Sequence, residues 1–226
     1  FVIYDTDDSR GLMKRIIKEQ GVNDDRITPP MVLGMISKAK NQLKSAQDFA
    51  GRTGNYFERI VADLFKEYQN RLAKNNAVDF DDLLYYTVEL FRKAPAILEQ
   101  YQERWRFINI DEYQDTNHAQ YVFTKLLAQK YRNLCVIGDS DQSIYRFRGA
   151  DLQNILDFEK DYPEAKVIKL EQNYRSTQNI LDTASAVIEK NYQGKGSAKG
   201  ESAFGGKKMW TESAKGDLID VWHCQS

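Results

Sequence analysis

Two histidines and two cysteines in 226 residues leave little from which to build a metal centre or a nucleophilic triad. His118 and His223 are too few for a histidine cluster, and a Ser/His/Asp arrangement would have to be forced. Cys135 lies in the apolar run Leu134-Cys135-Val136-Ile137, where it reads as a small core residue rather than a ligand, so a zinc site is not expected. No uncharged apolar stretch approaches the roughly 20 residues that cross a bilayer, and Phe1-Val2-Ile3-Tyr4-Asp5 lacks the basic start and apolar middle of a signal peptide. A cytoplasmic setting with no membrane contact is the resulting expectation. A net charge of −1 argues against coating nucleic acid through bulk basicity, although it leaves room for a local groove. The 13 Lys and Arg against 10 Asp and Glu in residues 1–75 read as a solvated helical surface. What is present is ordinary for a globular chain: 42% hydrophobic residues, enough for one core and a second, smaller helical unit.

The first ~100 residues carry helical periodicity. Thr6 or Asp7 can cap a helix with Leu12, Ile16 and Ile17 on one face, ended by Gly21. Thr28 before Pro29 and Pro30 starts a second, with Val32, Met35, Ile36, Ala39 and Leu43 as its stripe. A third aligns Phe57, Ile60, Val61, Leu64, Phe65, Tyr68 and Leu72, and Asp79 caps a fourth through Phe80, Leu83, Leu84, Val88 and Phe91. Pro95 opens one more. At Arg106 the pattern changes. Phe107 to Ile110 reads as a strand, Asn117 to Gln129 as a helix, and Leu134 to Ile137 as a strand, a right-handed parallel crossover. Lys166 to Leu170 is expected to add a third strand, and Thr177 to Lys190 another helix. Residues 193–208 turn to Gly, Ser, Ala and Lys and read as a linker. Their Gly200, Gly205, Gly206 and Lys207 do not form a phosphate loop, because Gly206 stands where the motif requires Lys.

Three strand-terminal segments carry the chemistry. Ile108-Asn109-Ile110-Asp111-Glu112-Tyr113-Gln114-Asp115 ends an apolar strand in a carboxylate pair. A nucleotide hydrolase needs such a pair, one carboxylate for Mg²⁺ and one to orient and deprotonate water, but an acidic turn reads equally well from these residues alone. Val136-Ile137-Gly138-Asp139-Ser140-Asp141-Gln142 follows the neighbouring strand, and a neutral Gln there can bond a terminal phosphate. Its continuation Tyr145-Arg146-Phe147-Arg148 mixes rings with cations, as single-strand binding surfaces do. In Leu170-Glu171-Gln172-Asn173-Tyr174-Arg175-Ser176, Tyr174 offers a face for a base and Arg175 a fork for phosphate oxygens.

In this order the three segments resemble motifs II, III and IV of superfamily 1 DNA helicases of the UvrD/PcrA/Rep type, and Asp79-Phe80-Asp81-Asp82-Leu83-Leu84 looks like the point where that family's 1B insertion rejoins its first motor domain. The likeness runs to about Ile188; Lys208-Met209-Trp210-Thr211-Glu212 is similar to the start of a second motor domain. It implies an α/β fold, a partial RecA-like (P-loop NTPase) parallel sheet with a mainly helical inserted subdomain. The expected divisions are a helical insertion at 1–78, part of the first motor domain at 79–190, and a linker with the start of the second motor domain at 191–226. By the resemblance Asp111 would ligate Mg²⁺, Glu112 would be the catalytic base, Gln142 would sense the γ-phosphate of ATP, Tyr174 would stack on adenine and Arg175 would contact the γ-phosphate. Phe147, with Tyr145 and Arg148, would hold single-stranded DNA. The family's Gly-rich, Lys-containing loop and its later arginine finger are expected before Phe1 and after Ser226. The parent is then expected to be a monomeric 3′–5′ translocase working at single-strand/duplex junctions, and these residues alone to be inactive. Two other readings stand beside it: a non-catalytic DNA- or protein-binding module derived from a helicase, and part of an AddA/RecB-like helicase-nuclease.

Overall fold

The computed structural model describes residues 1–51, 54–145, 149–151, 153–192, 208–220 and 222. The chain divides into two compact units, one of residues 1–138 and 144–154, the other of residues 139–143 and 155–226. The first unit therefore includes residues on both sides of position 78. Among the described residues no helix is long and apolar enough to cross a membrane.

In the first unit the strand Val2–Tyr4 (β1) pairs in parallel with Ala77–Asp79 (β2), Tyr4 opposite Asp79. These strands went unrecognised in the sequence because each is only three residues long and abuts a helix start. Thr6–Glu19 (α1) is capped by Asp5, one residue earlier than expected, whose carboxylate accepts from the backbone N–H of Asp7 and Asp8. Pro29–Asn41 (α2), Ala46–Ala50 (α3) and Tyr56–Lys74 (α4) follow. Leu12, Met13 and Ile16 of α1, Val32, Ile36 and Ala39 of α2, and Val61, Leu64, Phe65, Tyr68 and Leu72 of α4 form one buried cluster. The helical spacing read from the sequence thus marks the core faces of all three helices.

Phe80–Lys93 (α5) departs from its expected stripe. Phe80 and Leu83 are exposed, and the buried positions are Asp82, Val88 and Phe91. The reason is an ion pair. Lys40 of α2, whose side chain is 1% exposed, places Nζ 2.6 Å from Asp79 Oδ2 and 2.8 Å from Asp82 Oδ1. The hydroxyl of Tyr68 accepts from Ser9 and donates to Asp79 Oδ2 at 3.1 Å, and Gln69 Nε2 donates to Asp82 Oδ1 at 3.1 Å. Asp79 and Asp82 also close the capping box of α5, so each carboxylate serves the helix end and the ammonium together. Burial pushes the Asp82 carboxyl above its ordinary range, with Lys40 opposing the shift. Burial likewise raises Tyr68, helped by the charge of Asp79.

Pro95–Arg104 (α6), Ile108–Ile110 (β3), His118–Ala128 (α7) and Leu134–Val136 (β4) come next. Strands β3 and β4 are parallel with Asn109 opposite Cys135, which is the expected crossover. Cys135 is not a core residue, however. It is exposed, because it shares with Asn109 the side of this two-stranded sheet opposite the partly buried Ile108, Ile110, Leu134 and Val136.

Gln153–Asp161 (α8) and Gln178–Tyr192 (α9) complete the helices. The third strand expected at 166–170 does not form: those residues carry no strand pairing, and Ile168 and Leu170 are exposed. Pairing begins instead two residues later, where Gln172 bridges Trp210 in parallel, Asn173 N–H donating to Trp210 O and Trp210 N–H to Glu171 O.

Candidate active site

The end of β3 is fixed by backbone bonds that outrun the strand. Ile137 N–H donates to Ile110 O at 2.8 Å and Tyr113 N–H to Ile137 O at 2.9 Å, so the chain is tied to the end of β4 on both sides of the carboxylate pair. Between those ties Asp111 and Glu112 are exposed, with no regular structure to absorb the turn. Glu112 absorbs it: its backbone is left-handed, φ +50°, a conformation that costs a non-glycine residue about 1 kcal/mol or more and is found where surroundings impose it. Asp111 Oδ1 accepts from Glu112 N–H at 2.9 Å, and Gln114 Nε2 donates to Glu112 Oε2 at 2.7 Å. Gln114 and its neighbour Tyr113 are buried in the short 3₁₀ turn Tyr113–Asp115. Glu112 is thus oriented by a neutral donor.

Among the described residues no three acidic, histidine or cysteine side chains gather into a ligand set. Asp115 nevertheless has a buried Oδ1 with no hydrogen-bond partner among them. Hard oxygen donors with one unsatisfied carboxylate oxygen fit a divalent cation such as Mg²⁺, which takes one or two carboxylates and completes its shell with water and phosphate. A concavity of about 650 Å³ between α3, α4 and α5, lined among others by Lys44, Lys66, Gln69 and Tyr86, includes none of these carboxylates.

Gln142 belongs to the second unit, at the end of a 3₁₀ turn, and its Nε2 donates to Asp139 Oδ2 at 2.9 Å. Tyr174 and Arg175 are in that unit too. Tyr174 is 84% exposed, its hydroxyl donating to Gln172 Oε1 at 2.8 Å. Arg175 is exposed on a turn pinned by Asn173, whose Oδ1 accepts from the N–H of Arg175 and of Ser176. Tyr145 is in the first unit and partly exposed, its carbonyl accepting from Ala150 N–H at 3.3 Å. Phe147 and Arg148 lie outside the described residues.

Residues 1–163 match the family model of the UvrD/REP helicase N-terminal domain. The chain belongs to the UvrD/REP helicase family. It is similar to the ATP-dependent DNA helicase PcrA of Bacillus subtilis, 48% identical over 222 residues that make up 98% of this chain and 29% of that protein. The PcrA proteins of Leuconostoc citreum (47%) and Staphylococcus epidermidis (46%) align over all 226 residues, 29% and 30% of their own lengths. The chain therefore spans about 30% of the curated relatives it matches. Side chains beyond the three motif segments' named residues also hold the carboxylate turn in this chain. Gln114 was passed over as part of a motif string, although a Gln two residues beyond the acidic pair is the signal for it. Thr116, Asn117 and Asn154 had no signal beyond the Asn-x-x-Gln capping pattern at Asn117.

Proposed function

We propose that this chain supplies the water-activating carboxylates and part of the DNA-contacting surface of an ATP-dependent 3′–5′ DNA helicase and translocase. The observation that carries the reading is the Asp111–Glu112 pair at the carboxyl end of a parallel strand, the edge where ligands gather in such sheets, with Glu112 set by a left-handed turn and the buried Gln114. In this reading β3 and β4 belong to a RecA-like sheet, residues 1–78 form the helical insertion, 79–190 part of the first motor domain, and 191–226 the linker and the beginning of the second. Asp111 holds Mg²⁺, and Asp115 Oδ1 is the oxygen left to support it. The cation, when bound, neutralises phosphate charge. Glu112 takes the proton of the attacking water on the carboxylate oxygen that Gln114 leaves free. Gln142 exchanges its bond to Asp139 for one to the terminal phosphate, Arg175 bonds that phosphate, and Tyr174 stacks on adenine. Tyr145, Phe147 and Arg148 contact single-stranded DNA at the junction with duplex. The protein acts as a cytoplasmic monomer.

The sequence has no Gly-x-x-x-x-Gly-Lys segment, and Asp111, Glu112 and Asp115 bring negative charge to a site for a polyanion. Without backbone N–H groups and a Lys to hold the phosphates, these 226 residues should release no phosphate from ATP. The test is a phosphate-release assay on the 226-residue chain, and on a protein extended to include a phosphate loop and a second motor domain. DNA-stimulated release is expected only from the extended protein and is expected to vanish in Glu112→Gln. Robust release from the short chain, abolished by Glu112→Gln, would refute the account.

A further inference from the structure

The segment that leaves the carboxylate pair meets the segment that follows the aromatic and arginine run at one backbone carbonyl. Thr116 O accepts from Asp151 N–H at 3.0 Å and from Asn154 Nδ2 at 2.9 Å, and Asn154 Nδ2 also lies 3.3 Å from Thr116 Oγ1. Both residues are buried, Asn154 at 6% and Thr116 at 9% exposure, and both sit in the first unit. Thr116 has little freedom of its own: its hydroxyl donates to Tyr113 O at 2.7 Å, across the 3₁₀ turn that begins next to Glu112. Ala150 N–H donates to Tyr145 O at 3.3 Å, and Gly149 has φ +89°, a backbone that a side chain would strain. Asp151 Oδ1 also accepts from the N–H of Gln153, the first residue of α8, at 3.0 Å.

The next residue joins a third element. Asn117 Oδ1 accepts from Gln120 N–H to cap α7, while its Nδ2 donates to Asn41 Oδ1 of α2 at 2.8 Å; Asn41 Nδ2 in turn reaches Asp81 Oδ1 at 3.3 Å. Thr116 and Asn117 therefore hold the loop stem on one side and the helical region on the other, four and five residues beyond Glu112. An apolar contact here would fill space without fixing register. A buried carboxamide is directional, and leaving the Thr116 carbonyl with one donor fewer in a dry site is costly.

We propose that Asn154, acting through Thr116, is a positioning residue that sets residues 149–151, and through Ala150 the backbone of Tyr145, relative to the Asp111–Glu112 pair, so that contact with DNA beside Tyr145 is felt at the carboxylates. This rests on the function proposed above. Asn154 touches neither nucleotide nor DNA in this role. The variants are Asn154→Leu, close in volume and without hydrogen bonds, and Asn154→Asp, which sets an acceptor against the Thr116 carbonyl. Two measurements are made. One is amide exchange of residues 149–151 in the 226-residue chain. The other is DNA-free and DNA-stimulated phosphate release in the extended protein. Both variants are expected to speed exchange at Asp151 by about tenfold, the loss of roughly one buried hydrogen bond. They are also expected to lower the ratio of stimulated to DNA-free release several-fold, with DNA-free release and nucleotide affinity held. Thr116→Ser keeps both acceptors and should retain the wild-type ratio. Unchanged exchange and ratio in both variants overturn the proposal, as does an equal fall of DNA-free and stimulated release. If the unmutated extended protein shows no DNA stimulation, the helicase reading fails, and the exchange result still decides whether Asn154 positions the segment.

Discussion

Replacing Lys40 by Met removes the only cation within bonding distance of Asp79 and Asp82 among the described residues and leaves two carboxylates where there was a compensated network. The Lys40 side chain is 1% exposed, Asp82 0% and Asp79 12%. Solvent cannot replace the lost ammonium without opening the packing between α2, α4 and α5. Breaking one side of a buried ion pair costs about 3–5 kcal/mol, and this site loses two contacts from one nitrogen. Against a total stability of about 5–15 kcal/mol the fold should survive, but weakened. With a urea slope of about 2 kcal/mol per molar the midpoint should fall by about 1.5–2.5 M. The cation also lies 5.4 Å from the centre of the Tyr68 ring, so some of the loss is a cation–π contact that Met replaces by ordinary packing.

The pH dependence separates this mechanism from simple misfit. In the native chain burial raises the Asp82 carboxyl and Lys40 opposes the rise; without Lys40 the rise is larger. A carboxyl raised on folding holds its proton in the folded state at pH values where the unfolded chain, near 3.9, has released it. Stability then falls as pH climbs from the unfolded value through the folded one, and returns on acidification. Urea melts of Lys40→Met should therefore recover midpoint between pH 7 and pH 5 relative to wild type, and Lys40→Met/Asp82→Asn should recover it at pH 7 without acid. A loss below about 1 kcal/mol, or a loss independent of pH and untouched by Asp82→Asn, would show that the network is solvated or dispensable.

Replacing Phe147 by Ala is expected to remove about 1–3 kcal/mol of single-stranded DNA affinity, read by fluorescence anisotropy at low salt, and equal affinities would exclude a stacking role. Glu103 is held at about 2 by hydrogen bonds from Lys130 and Tyr131, which join α6 to the segment after α7. A depressed carboxyl gives stability above its unfolded value that is lost as pH falls toward the folded one, so Glu103→Gln should flatten the acid limb of a thermal melt between about pH 4.3 and 2; an unchanged limb would contradict it.

Much of this was legible from the residues because the signals are local. Helix α4 puts Val61, Leu64, Phe65, Tyr68 and Leu72 on one face by spacing alone, and β3 and β4 announce themselves as apolar runs ending in acidic or glycine-containing turns. Short strands defeat the same method. At three residues β1 and β2 show no alternation, and the five residues from Lys166 do not pair although their pattern is as good as that of β4. A strand is a property of its partner, and only pairing selects which apolar run becomes one. Phe80 and Leu83 differ for another reason: in the first turn of α5 Asp82 faces inward to meet a buried ammonium, while Val88 and Phe91 keep the expected face.

The chemistry of the site divides in the same way. Asp111 and Glu112 are readable as residue types at a strand end, but what places the Glu112 carboxylate is conformational: a left-handed backbone between the ties of Ile110 and Tyr113 to Ile137 at the end of the neighbouring strand, and a buried amide at Gln114. Neither follows from a motif string, since an acidic turn without those ties would be free to relax its φ. Thr116 and Asn154 are further out of reach, 38 positions apart with nothing periodic between them. Their pairing depends on the crossover β3–α7–β4, which brings the chain following β4 back past the end of β3. The residues proposed to face substrate are named from motif strings, whereas those that hold them in place are created by the fold. It follows that substitutions at Thr116, Asn117 and Asn154 should disturb coupling while every motif residue remains intact.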